Sequence, residues 1–319
     1  MGGAGSGVRA PDARDAGDCV IRVLLIGCGD VALRTADLLL PSARVYGLTR
    51  RPDDAAKLRR HGIVPLIGDL DRLSTLNRLR AAPFAVLHFA PPPSEGRDDP
   101  RTRKLVCALA RARSIPRRFV YISTSGVYGD CAGARVDERH PRRPQTPRAR
   151  RRVAAEDLLR DWACRYGVVL SILRAPGIYG PTRLPLERIK QGTPVLQSDV
   201  DVFTNHIHAD DLARAAVAAL FRGKPNRAYN VTDDAEMKMG HWFDLVADTF
   251  HLPRPPRVSW EEAEQRIAPM LLSFMSESRR LSNARMKGEL RVRLRYPQPQ
   301  DLLLQIAPRD LRKQLALPL

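Results

Sequence analysis

The sequence predicts an α/β fold, a doubly wound parallel sheet followed by a smaller C-terminal lobe. Residues 20–26 form a short, β-branched apolar run that leads directly into the turn Gly27-x-Gly29-x-x-Ala32. Apolar runs of strand length then alternate with charged stretches of helical length. Such alternation indicates a parallel sheet with helices on both faces. The 319 residues are enough for one large core and a small second lobe.

The first predicted strand ends in a glycine-rich turn. Gly27 permits a tight turn, Gly29 lets the backbone approach a pyrophosphate, and the small Ala32 lets the next helix lie close to the sheet. The helix that begins at Asp30, with Val31 in its first turn, directs its N-terminal amides and the positive end of its dipole at the phosphates. These five positions therefore predict a dinucleotide-binding turn. The alternative is a glycine-rich turn with a purely structural role.

The remaining elements follow at the spacing of a parallel sheet. Later strands are predicted at residues 44–48, 63–67, 84–89, 118–123 and 168–173. Helices are predicted at residues 30–40, 52–60, 71–80, 100–113 and 149–166. From about residue 177 the alternation loosens. The sequence therefore predicts three parts, which are a flexible leader (1–19), a dinucleotide-binding core (20–176) and a mostly substrate-binding lobe (177–319) interleaved with the core.

The formal net charge is +18, but its distribution argues against a nucleic-acid partner. Arginine accounts for 46 of the 53 basic residues, and the arginines are spread from Arg9 to Arg312. The densest cluster, residues 135–152, holds eight arginines and is interrupted by three prolines. Because no aromatic residue is interleaved, the cluster offers no stacking platform for single strands. We interpret it as a solvated or ligand-facing loop, with nucleic-acid binding as the weaker alternative.

Composition and spacing exclude several classes of protein. No run of about 18 apolar residues occurs, which argues against a membrane span, and the leader lacks the apolar stretch of a signal peptide. The five cysteines contain no Cys-x-x-Cys pair, so neither a disulfide framework nor a zinc site is indicated. His206 and His208 precede Asp210 and Asp211, but no matching ligand group follows, and we expect no metal site. A reducing cytoplasm fits best.

The end of the second predicted strand indicates the choice of cofactor. An NAD-preferring site places Asp or Glu there, about twenty residues after the glycines, to hold the ribose 2′-hydroxyl. This chain has Arg50 and Arg51 at that point. Since arginine forms charge-assisted hydrogen bonds with a 2′-phosphate, NADP is predicted in preference to NAD. In the alternative, both arginines begin a solvated helix.

Two later strand ends complete the predicted cofactor site, because ligands of such sheets bind outside the carboxyl ends of the strands. Asp69 and Leu70 follow the third strand. Asp69 is expected to meet the adenine edge there, and its alternative role is a helix N-cap. Ala90 and Pro91 follow the fourth strand in a stiff proline-rich loop, which we expect beside the cofactor.

Three further segments carry a family resemblance. They are 119–129, with Phe-Val-Tyr-Ile-Ser-Thr-Ser-Gly-Val-Tyr-Gly, 174–181, with Arg-Ala-Pro-Gly-Ile-Tyr-Gly-Pro, and 205–211, with Asn-His-Ile-His-Ala-Asp-Asp. With the glycine turn, they resemble the extended short-chain dehydrogenase/reductases of the NAD-dependent epimerase/dehydratase type. The resemblance implies a Rossmann-type core, a nicotinamide cofactor, and a small carbonyl, hydroxyl or nucleotide-sugar substrate.

The resemblance also implies roles for individual residues. Thr124 matches the family's Ser or Thr that hydrogen-bonds the substrate oxygen, and Ser125 lies beside it. Pro176 lies where the family's backbone meets the nicotinamide. Asn205 and His206 fall in the family's substrate-facing segment.

The family's catalytic Tyr-x-x-x-Lys pair is absent. Its two positions fall on Arg148 and Arg152, and arginine stays protonated at neutral pH, so it cannot act as a general base. Tyr128 and Tyr179, both near strand ends, are candidate replacements, although packing is the favoured explanation for each of them, and Tyr179 is also a candidate for substrate contact. The two histidines of segment 205–211 are weaker candidates.

Three outcomes follow from this departure. Another residue supplies the proton, or Arg148 and Arg152 bind an anionic substrate or stabilise an oxyanion, or no turnover occurs. We predict an atypical oxidoreductase or epimerase that acts on a small-molecule substrate. The alternative is a catalytically silent NADP(H)-binding redox sensor, and the sequence leaves a homodimer open.

Overall fold

The computed structural model describes residues 20–80, 83–111 and 115–307. In chain order its strands are β1 (Ile21–Ile26), β2 (Ala43–Thr49), β3 (Val64–Ile67), β4 (Ala85–His88), β5 (Arg118–Thr124), β6 (Arg135–Val136), β7 (Val169–Ala175), β8 (Gly177–Tyr179), β9 (Val195–Leu196), β10 (Phe203–Thr204), β11 (His206–His208), β12 (Arg227–Asn230), β13 (Met237–Lys238), β14 (Arg257–Val258) and β15 (Arg280–Leu281). Its α-helices are α1 (Asp30–Leu39), α2 (Asp53–Arg60), α3 (Pro100–Arg111), α4 (Pro147–Tyr166), α5 (Leu186–Lys190), α6 (Ala209–Arg222), α7 (Met239–Thr249), α8 (Trp260–Arg266), α9 (Pro269–Met275), α10 (Ala284–Leu290) and α11 (Pro299–Ile306). Short 3-10 helices lie at Leu73–Arg80 and Ser125–Tyr128.

A seven-stranded parallel sheet forms the centre, with the strand order β3-β2-β1-β4-β5-β7-β12. β1 pairs with β2 on one side and with β4 on the other, so the direction of winding reverses between β1 and β4. The carboxyl ends of the strands share one edge, where Ile26 lies beside Leu48 and His88. Ligands of such sheets bind in the crevice at this switch point. The predicted α/β, doubly wound parallel sheet is confirmed.

Both faces of β1 are buried, which explains why its sequence is a continuous apolar run. Val23 and Leu25 pack with residues of α1 and α6 in one core. Leu24 and Ile26 pack with residues of α3 and α4 in the other core. The strand is therefore held from both sides, and its carboxyl end is a rigid support for the turn that follows.

Most predicted boundaries lie within two residues of the observed ones. Residues 112–113, the end of the helix predicted at 100–113, lie outside the described residues. The exception is segment 71–80, which is a 3-10 helix from Leu73 rather than an α-helix. The Thr75 hydroxyl lies 3.1 Å from the carbonyl oxygen of Asp69 and 2.7 Å from that of Arg72. This local hydrogen bonding competes with the α-helical pattern.

The residues after 176 form a core of their own and also return to the sheet. Trp242, Phe243 and Val246 of α7 lie in the separate core. Helix α6 packs on α1, and β12 pairs with β7 at the edge of the sheet. The predicted leader, residues 1–19, and the segment 308–319 lie outside the described residues. Within the described ranges, no helix combines the length and the apolar character needed to cross a membrane.

A buried ion pair joins α4 to the sheet. Glu156 is fully buried, and its carboxylate accepts from Nε of Arg174 at 3.1 Å and from Nη2 at 2.7 Å. The Ser123 hydroxyl donates to the same carboxylate at 2.6 Å. Arg174 also donates to the Tyr128 hydroxyl at 2.9 Å, and that hydroxyl donates to Asn230 at 2.7 Å. One carboxylate thus couples α4 to β5 and β7.

Three histidines are buried, one at the carboxyl end of β4 and two in β11. Nε2 of His88 lies 3.0 Å from the Thr102 hydroxyl, which donates to Asp99 at 2.6 Å. His206 and His208 are buried in β11. Burial, reinforced by the charge of Arg152, lowers the pKa of His88 to about 3, and burial lowers the pKa of the other two to about 4. All three rings are therefore neutral at pH 7.

We expect Glu156→Gln to lower the free energy of unfolding by about 3 to 5 kcal/mol, because it leaves the Arg174 charge buried without a counter-charge. Urea unfolding followed by circular dichroism measures the loss. The control is Asp157→Asn on the same helix, since the Asp157 carboxylate is half exposed and binds Arg142 at 2.7 Å. Its cost should be about 1 kcal/mol or less. Equal losses in the two variants would contradict the role of Glu156.

His88 should make the protein less stable in acid. An unfolded histidine has a pKa of about 6.5, so above that pH the burial of a neutral His88 does not lower the free energy of unfolding. As the pH falls from about 6.5 towards the folded-state pKa, the free energy of unfolding decreases by about 1.4 kcal/mol per pH unit. Urea unfolding at about pH 7 and about pH 5 should therefore show a smaller decline for His88→Gln than for the wild type. His241→Gln, at an exposed position of α7, should follow the wild type. An unchanged decline in His88→Gln would refute the prediction.

Candidate functional site

The turn between β1 and α1 has the shape that a pyrophosphate requires. Gly27 has a φ of +86°, and a Cβ there would lie 2.5 Å from the Ala90 nitrogen, so both conformation and packing require glycine. A Cβ on Gly29, the N-cap of α1, would meet no protein atom within 4 Å. No side-chain hydrogen bond from the N-cap satisfies the first amides of α1, which are left for a ligand. The turn therefore fits a dinucleotide.

Two cavities of about 280 Å³ each meet at this turn. Gly27 and Ala90 line both, so the cavities form one depression across the ends of β1, β2 and β4, which we call the cofactor crevice. The residues predicted for the cofactor that line it are Gly27, Gly29, Asp30, Val31, Ala32, Arg50, Asp69, Leu70, Ala90 and Pro91. The crevice lies at the switch point of the sheet, where a ligand is expected.

Of the two arginines after β2, Arg50 lines the crevice and Arg51 does not. Nε of Arg51 donates to Asp54 at 2.9 Å, and 67% of the Arg51 side chain is exposed. The hydrogen bond from Arg51 lowers the pKa of Asp54. Only Arg50 of this pair therefore faces the place where a 2′-phosphate would lie. Arg51 lies instead in a solvated helix start, as in the alternative interpretation.

Arg101 of α3 also lines the crevice and was not predicted from the sequence. Its Nη2 donates to Asp71 at 2.8 Å, and its Nη1 donates to the Pro91 carbonyl at 3.3 Å. The hydrogen bond from Arg101 lowers the pKa of Asp71. Arg101 thus joins the loops after β3 and β4, a contact between distant segments that no sequence spacing indicates.

Ion pairs surround Asp30 at the start of α1. Its carboxylate accepts from Nε of Arg34 at 2.9 Å and from Nε of Arg183 at 3.0 Å. Arg34 also binds Asp210 of α6, while Arg183 follows β8 and lines the crevice. These pairs offset the negative charge that Asp30 would present to a phosphate. They also attach segments beyond residue 176 to the cofactor turn.

A third cavity, of about 150 Å³, lies beside the crevice at the ends of β5 and β7, and we call it the substrate cavity. Thr124 and Pro176 line it, while Ile122 and Ile178, two residues away along the same segments, line the crevice. The complete lining is Thr124, Ser125, Gly126, Arg148, Pro176, Gly177, Phe203, Thr204, Asn205, Met239, Phe274, Glu277 and Arg279. The two depressions therefore adjoin at the position predicted for Thr124.

The two arginines at the positions of the missing Tyr-Lys pair, Arg148 and Arg152, have different surroundings. Arg148 lines the substrate cavity, and its guanidinium carbon lies 4.0 Å from the centroid of the Phe274 ring. Burial lowers the pKa of Arg148. Arg152, one helical turn later, donates from Nη1 to the Tyr121 hydroxyl at 3.0 Å and to the Ile122 carbonyl at 2.8 Å. Arg152 is thus bound to β5, whereas Arg148 faces the cavity.

Polar groups around Thr124 are held in place by hydrogen bonds. Oγ1 of Thr124 accepts from the Gly126 amide at 3.3 Å, and within the described part of the chain no group accepts its hydroxyl hydrogen. The buried Ser125 hydroxyl lies 3.5 Å from Nη2 of Arg279. Asn205 donates to the Arg279 carbonyl at 2.9 Å. Asn205 therefore supports the segment that carries Arg279 as well as lining the cavity.

Glu277 and Arg279 are two charged wall residues that sequence reasoning missed. Nη1 of Arg279 donates to Glu277 at 2.9 Å and to the Gly129 carbonyl at 2.7 Å. Both side chains are almost fully buried. Nothing local distinguishes Arg279 from the many other arginines, since its partners Gly129 and Ser125 lie about 150 residues earlier in the chain.

Tyr128, Tyr179 and His206 line neither the cofactor crevice nor the substrate cavity. The Tyr128 hydroxyl belongs to the buried network of Glu156, and burial raises the pKa of Tyr128 to about 12. The rings of Tyr179 and His206 pack against Trp242, at centroid distances of 5.8 and 4.8 Å. Their positions argue against the predicted contacts with substrate. Across residues 20–80, 83–111 and 115–307, no cluster of three or more His, Cys, Asp or Glu could hold a metal ion.

Sequence comparison connects this geometry with known proteins. The family model described as "NAD dependent epimerase/dehydratase family" matches residues 32–232. The dTDP-D-glucose 4,6-dehydratase of Homo sapiens is 30% identical over 146 residues, which cover 43% of this chain and 41% of that protein. The chain thus matches less than half of the length of this relative.

Solved structures resemble nearly the whole chain. A conserved protein of unknown function from Silicibacter pomeroyi has a TM-score of 0.75 at 31% identity and covers 92% of this chain and 99% of its own. The UDP-glucose 4-epimerase of Thermus thermophilus, solved in complex with NAD, has a TM-score of 0.69 at 22% identity and covers 89% of this chain and 96% of its own, a likeness that shows the fold. Because the family model matches more than half of the sequence, the chain belongs to the NAD dependent epimerase/dehydratase family.

Proposed function

We propose that this chain is an NADP-preferring oxidoreductase or epimerase of its family, acting on a small-molecule substrate. The observation that carries the proposal is the junction of the two depressions at the end of β5, where Ile122 lines the cofactor crevice and Thr124 lines the substrate cavity. A hydroxyl group beside a crevice that fits a dinucleotide suits a reaction at a carbonyl or hydroxyl carbon. The relatives named above support the same class of chemistry.

The residues of the crevice would hold the cofactor as follows. When bound, a nicotinamide cofactor supplies hydride transfer. The open face of Gly29 admits the pyrophosphate to the amides of α1, and Arg183 offsets the Asp30 carboxylate at the same place. Arg50 pairs with a 2′-phosphate, and the Asp69 segment meets the adenine. No carboxylate stands at positions 49–51 to favour NAD.

Thr124 would orient the reacting oxygen. Oγ1 accepts from the Gly126 amide, and no described group accepts the hydroxyl hydrogen, so that hydrogen is available to a substrate oxygen. Arg152 is bound to the Tyr121 hydroxyl and the Ile122 carbonyl, so its role is to hold the end of β5 in place. Without a Tyr-Lys pair we expect slow turnover, since a general acid or base contributes about 100- to 10,000-fold in rate.

The attachment of Arg152 to β5 also favours a second candidate, a catalytically silent NADP(H)-binding sensor. In that role the redox state of the cofactor changes the affinity for a partner. The test is to capture a partner in the presence of NADP, in the presence of NADPH, and without either cofactor. Equal capture in all three conditions would count against it.

The arginines of residues 135–152 support a small-molecule partner rather than nucleic acid, because many of them already bind protein oxygens. Arg142 donates to Asp157 at 2.7 Å, and Arg151 donates to the Gly96 carbonyl at 2.9 Å. Arg139 pairs with Asp137 at 2.7 Å. The proposal includes a cytoplasmic location, which the cysteine usage indicates. It also includes a homodimer, which the sequence leaves open.

Thr124→Ala should lower kcat/KM by about 100-fold, the effect of removing one donor to a reacting oxygen. Cofactor absorbance in the near ultraviolet, where reduced nicotinamides absorb and oxidised ones do not, measures net oxidation or reduction over a panel of carbonyl compounds and nucleotide sugars. Chromatography of the products measures epimerisation, which returns the cofactor to its starting redox state. Thr124→Ser keeps the hydroxyl and should retain most of the activity. If the wild type binds cofactor tightly but turns over no compound, the enzyme proposal fails and the sensor is favoured.

Arg50→Ala should weaken NADPH binding by about tenfold to a hundredfold, the value of a charge-assisted contact, and leave NADH binding unchanged. Fluorescence titration of each reduced cofactor measures both affinities. Arg51→Ala is the matched control, because the Arg51 side chain binds Asp54 outside the crevice. Equal wild-type affinities for the two cofactors, or equal losses in the two variants, would remove the argument for NADP.

A further inference from the structure

Arg148 differs from the next three arginines of α4. Nε of Arg150 lies 3.5 Å from the Pro144 carbonyl, Nη1 of Arg151 donates to Gly96, and Nη1 of Arg152 donates to Ile122. Arg148 has neither a hydrogen bond from its side chain nor an ion pair to any residue in the described ranges. Its guanidinium stacks on the Phe274 ring and lines the substrate cavity. The wall of the cavity therefore carries a partly buried cation whose hydrogen-bond donors are unused.

A second cation, Arg279, lies on the wall of the same cavity. Only 10% of its side chain is exposed, and Nε has no hydrogen-bond partner among the described residues. Its Nη1 is held by Glu277 and Gly129, and Nη2 lies near Ser125. Arg279 is thus a fixed positive charge on the cavity wall.

Glu277 is the carboxylate of the cavity lining and works against the binding of an anion. Its Oε2 accepts from Arg279 at 2.9 Å, and this ion pair offsets part of the negative charge that Glu277 presents to the cavity. The lining has two guanidinium groups and one carboxylate, so its net charge is positive. An incoming anion therefore meets more positive than negative charge.

The size of the cavity limits the ligand. Its volume is about 150 Å³, below the roughly 300 to 1,000 Å³ of pockets for drug-sized ligands. Phe274 and Arg148, stacked on each other, form part of its wall. A compact molecule fits such a space better than a nucleotide sugar does.

We infer that the substrate is a small carbonyl or hydroxy compound that carries a carboxylate or phosphoryl group. Arg148 and Arg279 bind the anionic group, and Thr124 holds the reacting oxygen beside the cofactor crevice. Guanidinium groups suit this task because their planar set of donors matches the oxygens of both anions. The inference rests on the proposed function, whose substrate class it specifies.

Binding of two probe anions tests the site without turnover. Isothermal titration calorimetry measures the affinity of oxalate, for the carboxylate, and of inorganic phosphate, for the phosphoryl group. The protein is saturated with NADP beforehand, so that the phosphate sites of the cofactor crevice are filled. Binding of one anion and not the other identifies the anionic group, and binding of both supports a site for either.

Arg148→Gln should weaken the binding of the preferred anion by about tenfold to a hundredfold. Arg148→Lys keeps the charge but loses the planar set of donors, and should lie between Arg148→Gln and the wild type. Arg150→Gln, on the same helix and outside the cavity, is the matched control and should bind as the wild type does. NADP affinity and thermal melting should be unchanged in all three variants, which shows that they are folded.

Failure of the wild type to bind either anion overturns the inference, and so does equal binding by Arg148→Gln and the wild type. Turnover of neutral carbonyl compounds at a rate unaffected by Arg148→Gln overturns it as well, while the proposed function stands. Anion binding that depends on Arg148, with no turnover of any compound, supports the anion site and defeats the proposed function.

Discussion

The buried ion pair between Glu156 and Arg174 is the contact on which the arrangement of the site depends. It joins the middle of α4 to the carboxyl end of β7, and the Ser123 hydroxyl extends it to β5. A carboxylate buried in this way is tolerated because the Arg174 guanidinium and the Ser123 hydroxyl satisfy it, with Arg142 adding a longer contact at 3.4 Å. The pair therefore holds α4 in one rotational and axial position on the sheet.

That position determines where two other side chains lie. Arg148, Arg152 and Glu156 follow one another at intervals of four residues, so they project from the same face of α4. With Glu156 bound to Arg174, Arg152 reaches the Ile122 carbonyl and Arg148 reaches the substrate cavity. Like charges four residues apart repel. Their separate surroundings, a carbonyl for one and the Phe274 ring for the other, reduce this cost.

The cofactor crevice shows a related use of charge. Asp30 occupies the helix end that would receive a phosphate, and Arg34 and Arg183 compensate its carboxylate. Arg34 also forms an ion pair with Asp210 of α6, so these ion pairs connect the first turn of α1 to elements that lie beyond residue 176. The turn between β1 and α1 and the later part of the chain are therefore mechanically connected through side chains.

The sequence by itself determined the features that depend on neighbouring residues. The apolar run before Gly27, the open approach at Gly29 and the alternation of strands and helices follow from steric and hydrophobic rules that act over a few residues. They were sufficient for the fold class and for most of the crevice lining. Thr124, which the family resemblance singled out, lines the cavity because it ends a strand, and strand ends of a parallel sheet share one edge.

Only the tertiary structure decided between residues that look alike in sequence. Arg50 and Arg51 are adjacent, yet Asp54 binds Arg51 and leaves Arg50 to the crevice. Tyr128 and Tyr179 both precede glycines near strand ends, but a buried hydrogen-bond network and a hydrophobic core hold them away from the substrate cavity. Glu277 and Arg279 reach the cavity from the far end of the chain. The physical reason is that the orientation of a charged or polar side chain depends on which partner can satisfy it, and here those partners are brought together by folding across long separations in sequence.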